Sequence, residues 1–164
     1  FGDFLSQSGH KYVDDIEELR GNKYDLITHF FVFEHMRDPF KFLKTTHEML
    51  NENGVHICEI PCCEDALTSL YNIPAFEKFY WSKAHHYYYN FNSLQFILNK
   101  MNYKYKLVPE QRYDISNHIT WMEKGIPGGQ GKYNDIFSIE AREAYRQSLI
   151  ESKKCDTIFL YIWK

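Results

Sequence analysis

Glu34 and His35 stand side by side where the apolar run "YDLITHFFVF", Tyr24 to Phe33, gives out. An acid and an imidazole at that point offer a hydrogen-bond acceptor and a group able to take a proton near neutral pH. A second imidazole pair, His85 and His86, lies in the aromatic stretch "WSKAHHYYYN", with the Tyr88 hydroxyl close behind. Arg112, Asn117, His118 and Trp121 precede the glycine-rich "GIPGGQG". Arg112 could clamp a carboxylate or phosphate through two parallel bonds. The glycines could let backbone N–H groups approach an anion, but no helix with P-loop spacing follows, and a mobile lid is the better reading. Each group also has a plain structural reading. Glu34 could cap a helix, His35 could pack beneath a loop, and His85 could belong to a stacked aromatic lid. Eight His with Glu34, Glu59 and Asp65 could build a metal site, yet no H-x-x-x-H, H-E-x-x-H or H-x-H spacing occurs, so no metal is expected.

The elements that must carry these groups follow from periodicity. "HKYVDD" reads as a short strand running into a helical turn at "IEELRGN". Tyr24–Phe33 is aromatic and β-branched without alternation, the pattern of a central parallel strand covered on both faces. Asp38-Pro39 starts a helix as N-cap and first helical residue, and Phe40, Leu43, Met49 and Leu50 form its apolar stripe up to "NENG". "GVHICEIP" is a second buried strand, which makes a right-handed βαβ unit. Asn90 caps a helix over "FNSLQFILNKMN", "YKYKLVPEQRY" reads as a strand, a helix spans about Ser138 to Lys153, and "CDTIFLYIWK" closes the sheet. Two aromatic excursions, about residues 62–90 and 114–135, leave from strand ends, where open α/β sheets place their ligand crevice.

At 164 residues the chain holds one domain, with 44% hydrophobic and 25% charged residues. The 18% aromatic content implies either a large aromatic core or a ring-lined cavity. A net charge of -3 without a basic block argues against nucleic-acid binding. No apolar run reaches the length of a membrane span and no secretory pattern opens the chain, so a cytoplasmic location is expected. Cys58, Cys62, Cys63 and Cys155 form no C-x-x-C pair and are read as free thiols in a reducing compartment.

The segment "YDLITHFFVFEHMRDPFKFLKTTHEMLNENGVHICEIP" resembles the middle of class I S-adenosylmethionine-dependent methyltransferases: a hydrophobic strand, an "EH" exit, a "DP" helix start and a strand ending in Pro. "HHYYYNFNSLQFILNKMNYKYKLV" resembles the continuation, and "QRYDISNHITWMEKGIPGG" a tail found in a subset acting on small molecules, often in surface-sugar biosynthesis. The resemblance implies a Rossmann-like three-layer α/β sandwich with a mainly parallel sheet and an antiparallel last strand. It also implies S-adenosyl-L-methionine as cofactor and methyl transfer to a small polar metabolite, such as a sugar or sugar-nucleotide. Carried over residue by residue, it puts Asp14, Asp15 and Ile16 at the adenine, His29 and Phe30 at the methionine end, and His85 as base with Tyr88 orienting. Glu34, His35, His86, Arg112, Asn117, His118 and Trp121 then face the substrate.

The family's first strand, its "G-x-G-x-G" turn and the following acid-tipped strand have no counterpart here. In the family order 3-2-1-4-5-7-6 their loss leaves Tyr24–Phe33 with a bare apolar edge. Three explanations stand: a piece of a longer protein, omitted disordered residues, or an edge paired with another subunit as a homo-oligomer. The first two are the favoured expectation. A degenerate, non-catalytic binding or assembly module is the alternative to an enzyme.

Overall fold

The computed structural model describes residues 2–164. Helix α1 covers Gly2–Gln7, in a stretch without apolar period where the sequence pattern gives no element. "HKYVDD" is not a strand. It is irregular backbone, and Asp15 caps a 3-10 turn over Ile16–Leu19, with Glu18 reaching back to the Asp15 amide in a capping box. A single row of backbone groups with no neighbouring strand on either side has nothing to pair with, so the β propensity of Tyr12 and Val13 goes unused.

Four strands form one sheet in the order β1-β2-β4-β3, with β1 at Tyr24–Phe30, β2 at Leu50–Pro61, β3 at Lys104–Glu110 and β4 at Thr157–Trp163. β1 runs parallel to β2, while β4 is antiparallel to both β2 and β3, so the last strand alone is reversed. Between β1 and β2 lies α2, Pro39–Glu48. Asp38 caps it by accepting the Lys41 amide at 2.9 Å, and Pro39 occupies its first turn. "NENG" does not end that helix. It bulges within β2, where the register jumps from Tyr24↔Leu50 to Leu26↔Val55. A Cβ on Gly54 would come within 2.8 Å of the Tyr24 carbonyl oxygen, which is why glycine sits there.

Alternation along β2 and β4 decides where the core lies. Cys58 and Ile60 of β2 and Ile158, Leu160 and Ile162 of β4 point to one face and are fully buried. They pack with Leu43 of α2 and with Phe91, Leu94 and Leu98 of α5, Phe91–Lys100, which Asn90 caps. Burying a leucine of this kind contributes roughly 1.5–3 kcal/mol. On the opposite face Phe159, Tyr161 and Trp163 are half-buried.

β1 departs from the expectation of burial on both faces: Leu26 is 55% exposed and Phe30 52%. Only its inner face, through His29, turns toward α2. Its outer edge pairs with no strand among the described residues, and an apolar residue with no neighbour to cover it stays wet whatever its sequence pattern suggests. Among the described residues, no helix is long and apolar enough to cross a membrane.

The remaining helices serve the site. α3 (Ala66–Ser69) and α4 (Pro74–Tyr80) occupy the first excursion, α6 (Ile115–Lys124) the second, and α7 (Ile139–Glu151) precedes β4. Leu67, Ile73, Phe76 and Trp121 form a smaller core joining the two excursions.

Truncating Leu160 to Ala should cost about 2–5 kcal/mol by chemical denaturation, because its cavity opens in the middle of the sheet. Leu26→Ala should stay within about 1 kcal/mol of the parent.

Candidate functional site

A cavity of about 600 Å³ opens over the carboxyl ends of the parallel strands. Its floor comes from Phe31, just past β1, Pro61 at the end of β2, Arg112 beyond β3, and Asp156 and Thr157 at the start of the reversed β4. Phe76, Phe79 and Tyr80 of α4 and Asn117 and Trp121 of α6 roof it. Trp121 meets Phe76 edge-on at 5.0 Å and Phe79 at 5.3 Å, so the roof is a ring cluster spanning both excursions.

The roof is tied to the strand exit by backbone. Phe31 has φ +54, a conformation uncommon outside glycine and costing on the order of 1–3 kcal/mol, and its N–H donates to the Glu59 carbonyl at 2.9 Å. This reverses the chain into a 3-10 turn over Phe33–His35 that buries Phe33 and Glu34. The Glu34 carbonyl then accepts the amides of His86 at 2.9 Å and Tyr87 at 3.2 Å. Farther along, the Cys63 amide donates to the Tyr89 carbonyl at 2.8 Å.

Three acids face the cavity floor or flank it, and each is held differently. Glu59 pairs with Arg112 at 3.2 Å, and the Arg112 guanidinium lies 5.0 Å from the Phe31 ring centre. Burial raises the Glu59 pKa, and Arg112 opposes that shift. Asp156 accepts from Gln111 Nε2, the Arg112 and Tyr113 amides and the Thr157 hydroxyl, all at 2.8–3.1 Å. Burial raises its pKa too, against those donors. Asp65, 3% exposed, accepts the Leu67 amide at 2.7 Å as the cap of α3. Burial, only partly opposed by the Leu67 amide, pushes its carboxyl up to about 7. Tyr80 also lines the cavity, and its hydroxyl is buried with no partner among the described residues.

The expected site residues divide accordingly. His85, Arg112, Asn117 and Trp121 line the cavity. Glu34 and His35 stand beside it, and the His35 ring lies edge-on to His85 at 4.7 Å. Tyr88 sends its hydroxyl to the Ser82 carbonyl at 2.9 Å and so shapes the loop carrying His85. His86 is exposed and contributes its amide.

Other expected residues lie elsewhere. His118 is fully buried away from the wall, between the Tyr145 hydroxyl at 2.6 Å and Gln111 Nε2 at 3.4 Å, and burial lowers its pKa to about 4. Asp14 accepts the Tyr12 hydroxyl at 2.7 Å, Asp15 is the turn cap, and Ile16 lines a separate depression beside β1. Phe30 faces out. His29 turns inward to Cys58 Sγ at 3.0 Å, in a buried group with His56. Burial lowers these two imidazoles to about 4 and about 3, which keeps them neutral.

The glycine-rich segment is a strap stapled to α6. Gln130 accepts the Asp114 amide at 2.9 Å, the Gly131 amide donates to Asp114 at 2.8 Å, and a Cβ on Gly129 would strike Thr120. The sequence offers Asp65 only as a conceivable metal ligand and does not single out Tyr80. Asp65 precedes a short helix as any N-cap does, and Tyr80 is one of thirteen tyrosines.

A family model described as a methyltransferase domain matches residues 4–108. Among solved structures, a SAM-dependent methyltransferase from Archaeoglobus fulgidus is 18% identical over 94% of this chain and 67% of its own, with a TM-score of 0.55. A SAM-dependent methyltransferase from Thermotoga maritima, described as a possible histamine N-methyltransferase, is 16% identical over 99% of this chain and 68% of its own, at 0.58. The plantazolicin methyltransferase, in complex with a monoazolic desmethylPZN analog and SAH, is 15% identical over 94% of this chain and 58% of its own, at 0.53. These likenesses establish the fold. No curated protein matches. The order β1-β2-β4-β3 corresponds to the 4-5-7-6 half of the family sheet.

Because the folded state raises the Asp65 pKa, it favours the protonated acid. That contribution is full below the unfolded value near 4 and is lost as pH rises through about 7. Asp65→Asn keeps a cap and removes the titration, so its melting temperature relative to the parent should climb between pH 4 and pH 8.

Proposed function

The chain belongs to this methyltransferase-domain family, and from that premise we propose that it serves S-adenosylmethionine-dependent methyl transfer to a small polar acceptor held in the roofed cavity. The observation carrying the acceptor assignment is the wall itself: a roof of rings that includes the unpartnered Tyr80 phenol, and a buried acid whose pKa is pushed up to about 7. The relatives' cofactor, when bound, supplies an electrophilic methyl group on a sulfonium. Asp14 and Asp15 are exposed, engaged with Tyr12 and with the turn they cap, and neither lines the cavity. The expected grip on the nucleoside is therefore not met by these residues, and the roles proposed here concern the acceptor.

The roof rings Phe76, Phe79 and Trp121 exclude water and stack on an apolar face of the acceptor. Tyr80 gives its free hydroxyl to an acceptor oxygen or nitrogen, since a buried phenol without a partner costs free energy until it finds one. Arg112 is held by Glu59 and Phe31, and so fixes the edge of the floor. Asp65 takes the proton that the acceptor must lose, because a group titrating near the operating pH is the most effective base. His85 positions the acceptor from the wall that Tyr88 shapes. A sugar or other polyhydroxylated metabolite satisfies these donors and rings, which supports the sequence expectation.

Calorimetry with S-adenosylmethionine and S-adenosylhomocysteine should give saturable heat. Absence of heat from a monodisperse sample would instead favour a non-catalytic binding module. In the active protein Asp65→Asn should lower turnover by about 10²–10⁴-fold and remove the rise in rate through about pH 7 that the ionised base confers. An unchanged profile would exclude Asp65 as the base.

A further inference from the structure

Beside the cavity, one carboxylate oxygen of Glu34 and one ring nitrogen each of His35 and His85 lie within 4.8 Å of one another. The protons in this group can be assigned. His35 Nδ1 is 2.9 Å from the Ala84 carbonyl, which only accepts, so Nδ1 carries a proton, and in the neutral ring Nε2 keeps its lone pair. Nε2 stands 4.0 Å from Glu34 Oε1, beyond hydrogen-bond length. Glu34 is 2% exposed and its Oε2 has no partner among the described residues; His85 Nδ1 is likewise buried and unpartnered. A carboxyl group and two imidazoles thus converge with no hydrogen bond among them in the described residues, and a bound cation would relieve the cost of burying the Glu34 carboxylate without a partner.

We propose that Glu34, His35 and His85 bind a divalent first-row transition ion at the mouth of the cavity. Two imidazoles and one carboxylate favour manganese, iron, cobalt or zinc over magnesium, which prefers oxygen ligands, and they leave open positions on the ion. Atoms in such a shell lie about 3–3.5 Å apart. Small rotations of the two half-exposed rings close the remaining gap. The arrangement is built outward from the ligands: the His35–Ala84 bond fixes the tautomer, and the amides of His86 and Tyr87 clasp the Glu34 carbonyl. Glu34-His35 comes from the strand exit and His85 from the excursion docked on it, so the ion would cross-link roof to floor. Because His85 also lines the cavity, the open positions reach an acceptor oxygen there and lower its pKa. That last link rests on the proposed methyl-transfer reading; ion binding does not.

The test uses the 164-residue chain stripped with a chelator and titrated with Co²⁺ and Mn²⁺ in the absence of cofactor and acceptor. The site predicts one ion per chain, with cobalt showing visible d–d absorption and no thiolate charge-transfer band. Glu34→Gln and His85→Gln should each weaken binding by more than about 100-fold, beyond the 10–100-fold typical of outer ligands. Far-ultraviolet circular dichroism checks that both remain folded, and His10→Gln, on exposed backbone, should bind as the parent does. No saturable binding, unchanged affinity in folded His85→Gln, or a thiolate band locating cobalt at the His29–His56–Cys58 group would each overturn the proposal. Loss of methyl transfer with intact ion binding would fault the catalytic reading alone.

Discussion

The site depends on how the chain leaves β1. A parallel strand must deliver its last residues beyond the sheet edge, and here the turn is made at Phe31 in a left-handed conformation secured by its bond to the Glu59 carbonyl. That turn drives Phe33 into the core and buries Glu34, so the Glu34 carbonyl meets the amides of the first excursion. Strand exit and the His86–Tyr87 stretch of the first excursion are therefore one hydrogen-bonded unit. If Phe31 relaxed to an extended conformation, the acid and imidazole after it would swing away from His85.

The charges around the floor show why one acid stands apart. Glu59 has Arg112, and Asp156 has donors on several sides, so burial is opposed in both cases by a stated partner. Asp65 has the Leu67 amide and little else, and the apolar surroundings prevail. A group left in that condition is unfavourable for stability and useful for proton transfer, and Tyr80, which lines the same cavity, carries a buried hydroxyl without a partner among the described residues. The wall is thus tuned by what it withholds from two side chains.

The sequence was legible where a local rule acts alone. Asp38-Pro39 and Asn90 cap the helices expected of them, and the apolar residues of α5 fall on the face that packs. The βαβ order and the position of the excursions over the strand ends follow from the same patterns. It was illegible where tertiary context decides. The apolar run of β1 promised two buried faces, but a pattern records preference, and Leu26 and Phe30 are left more than half exposed. Asp114 and Gly125 bracket α6 with ordinary cap signals that the glycine-rich segment beyond it obscured. His118 sits one residue from Asn117 on that helix, yet about 100° of rotation sends it to Tyr145 while Asn117 reaches the wall. Asp14 and Asp15 read as ligands for a nucleoside and are occupied with their own turn.

Amide hydrogen exchange read residue by residue addresses the docking of the roof on the strand exit. The N–H groups of Phe31, His86 and Tyr87, none in a regular helix or strand, should exchange as slowly as those of β2 and β4, because each is bonded across the strand exit. Exchange of the His86 and Tyr87 amides at the rate of unstructured peptide, with β2 still protected, would contradict the account: the loop carrying His85 would then not be docked on the strand exit.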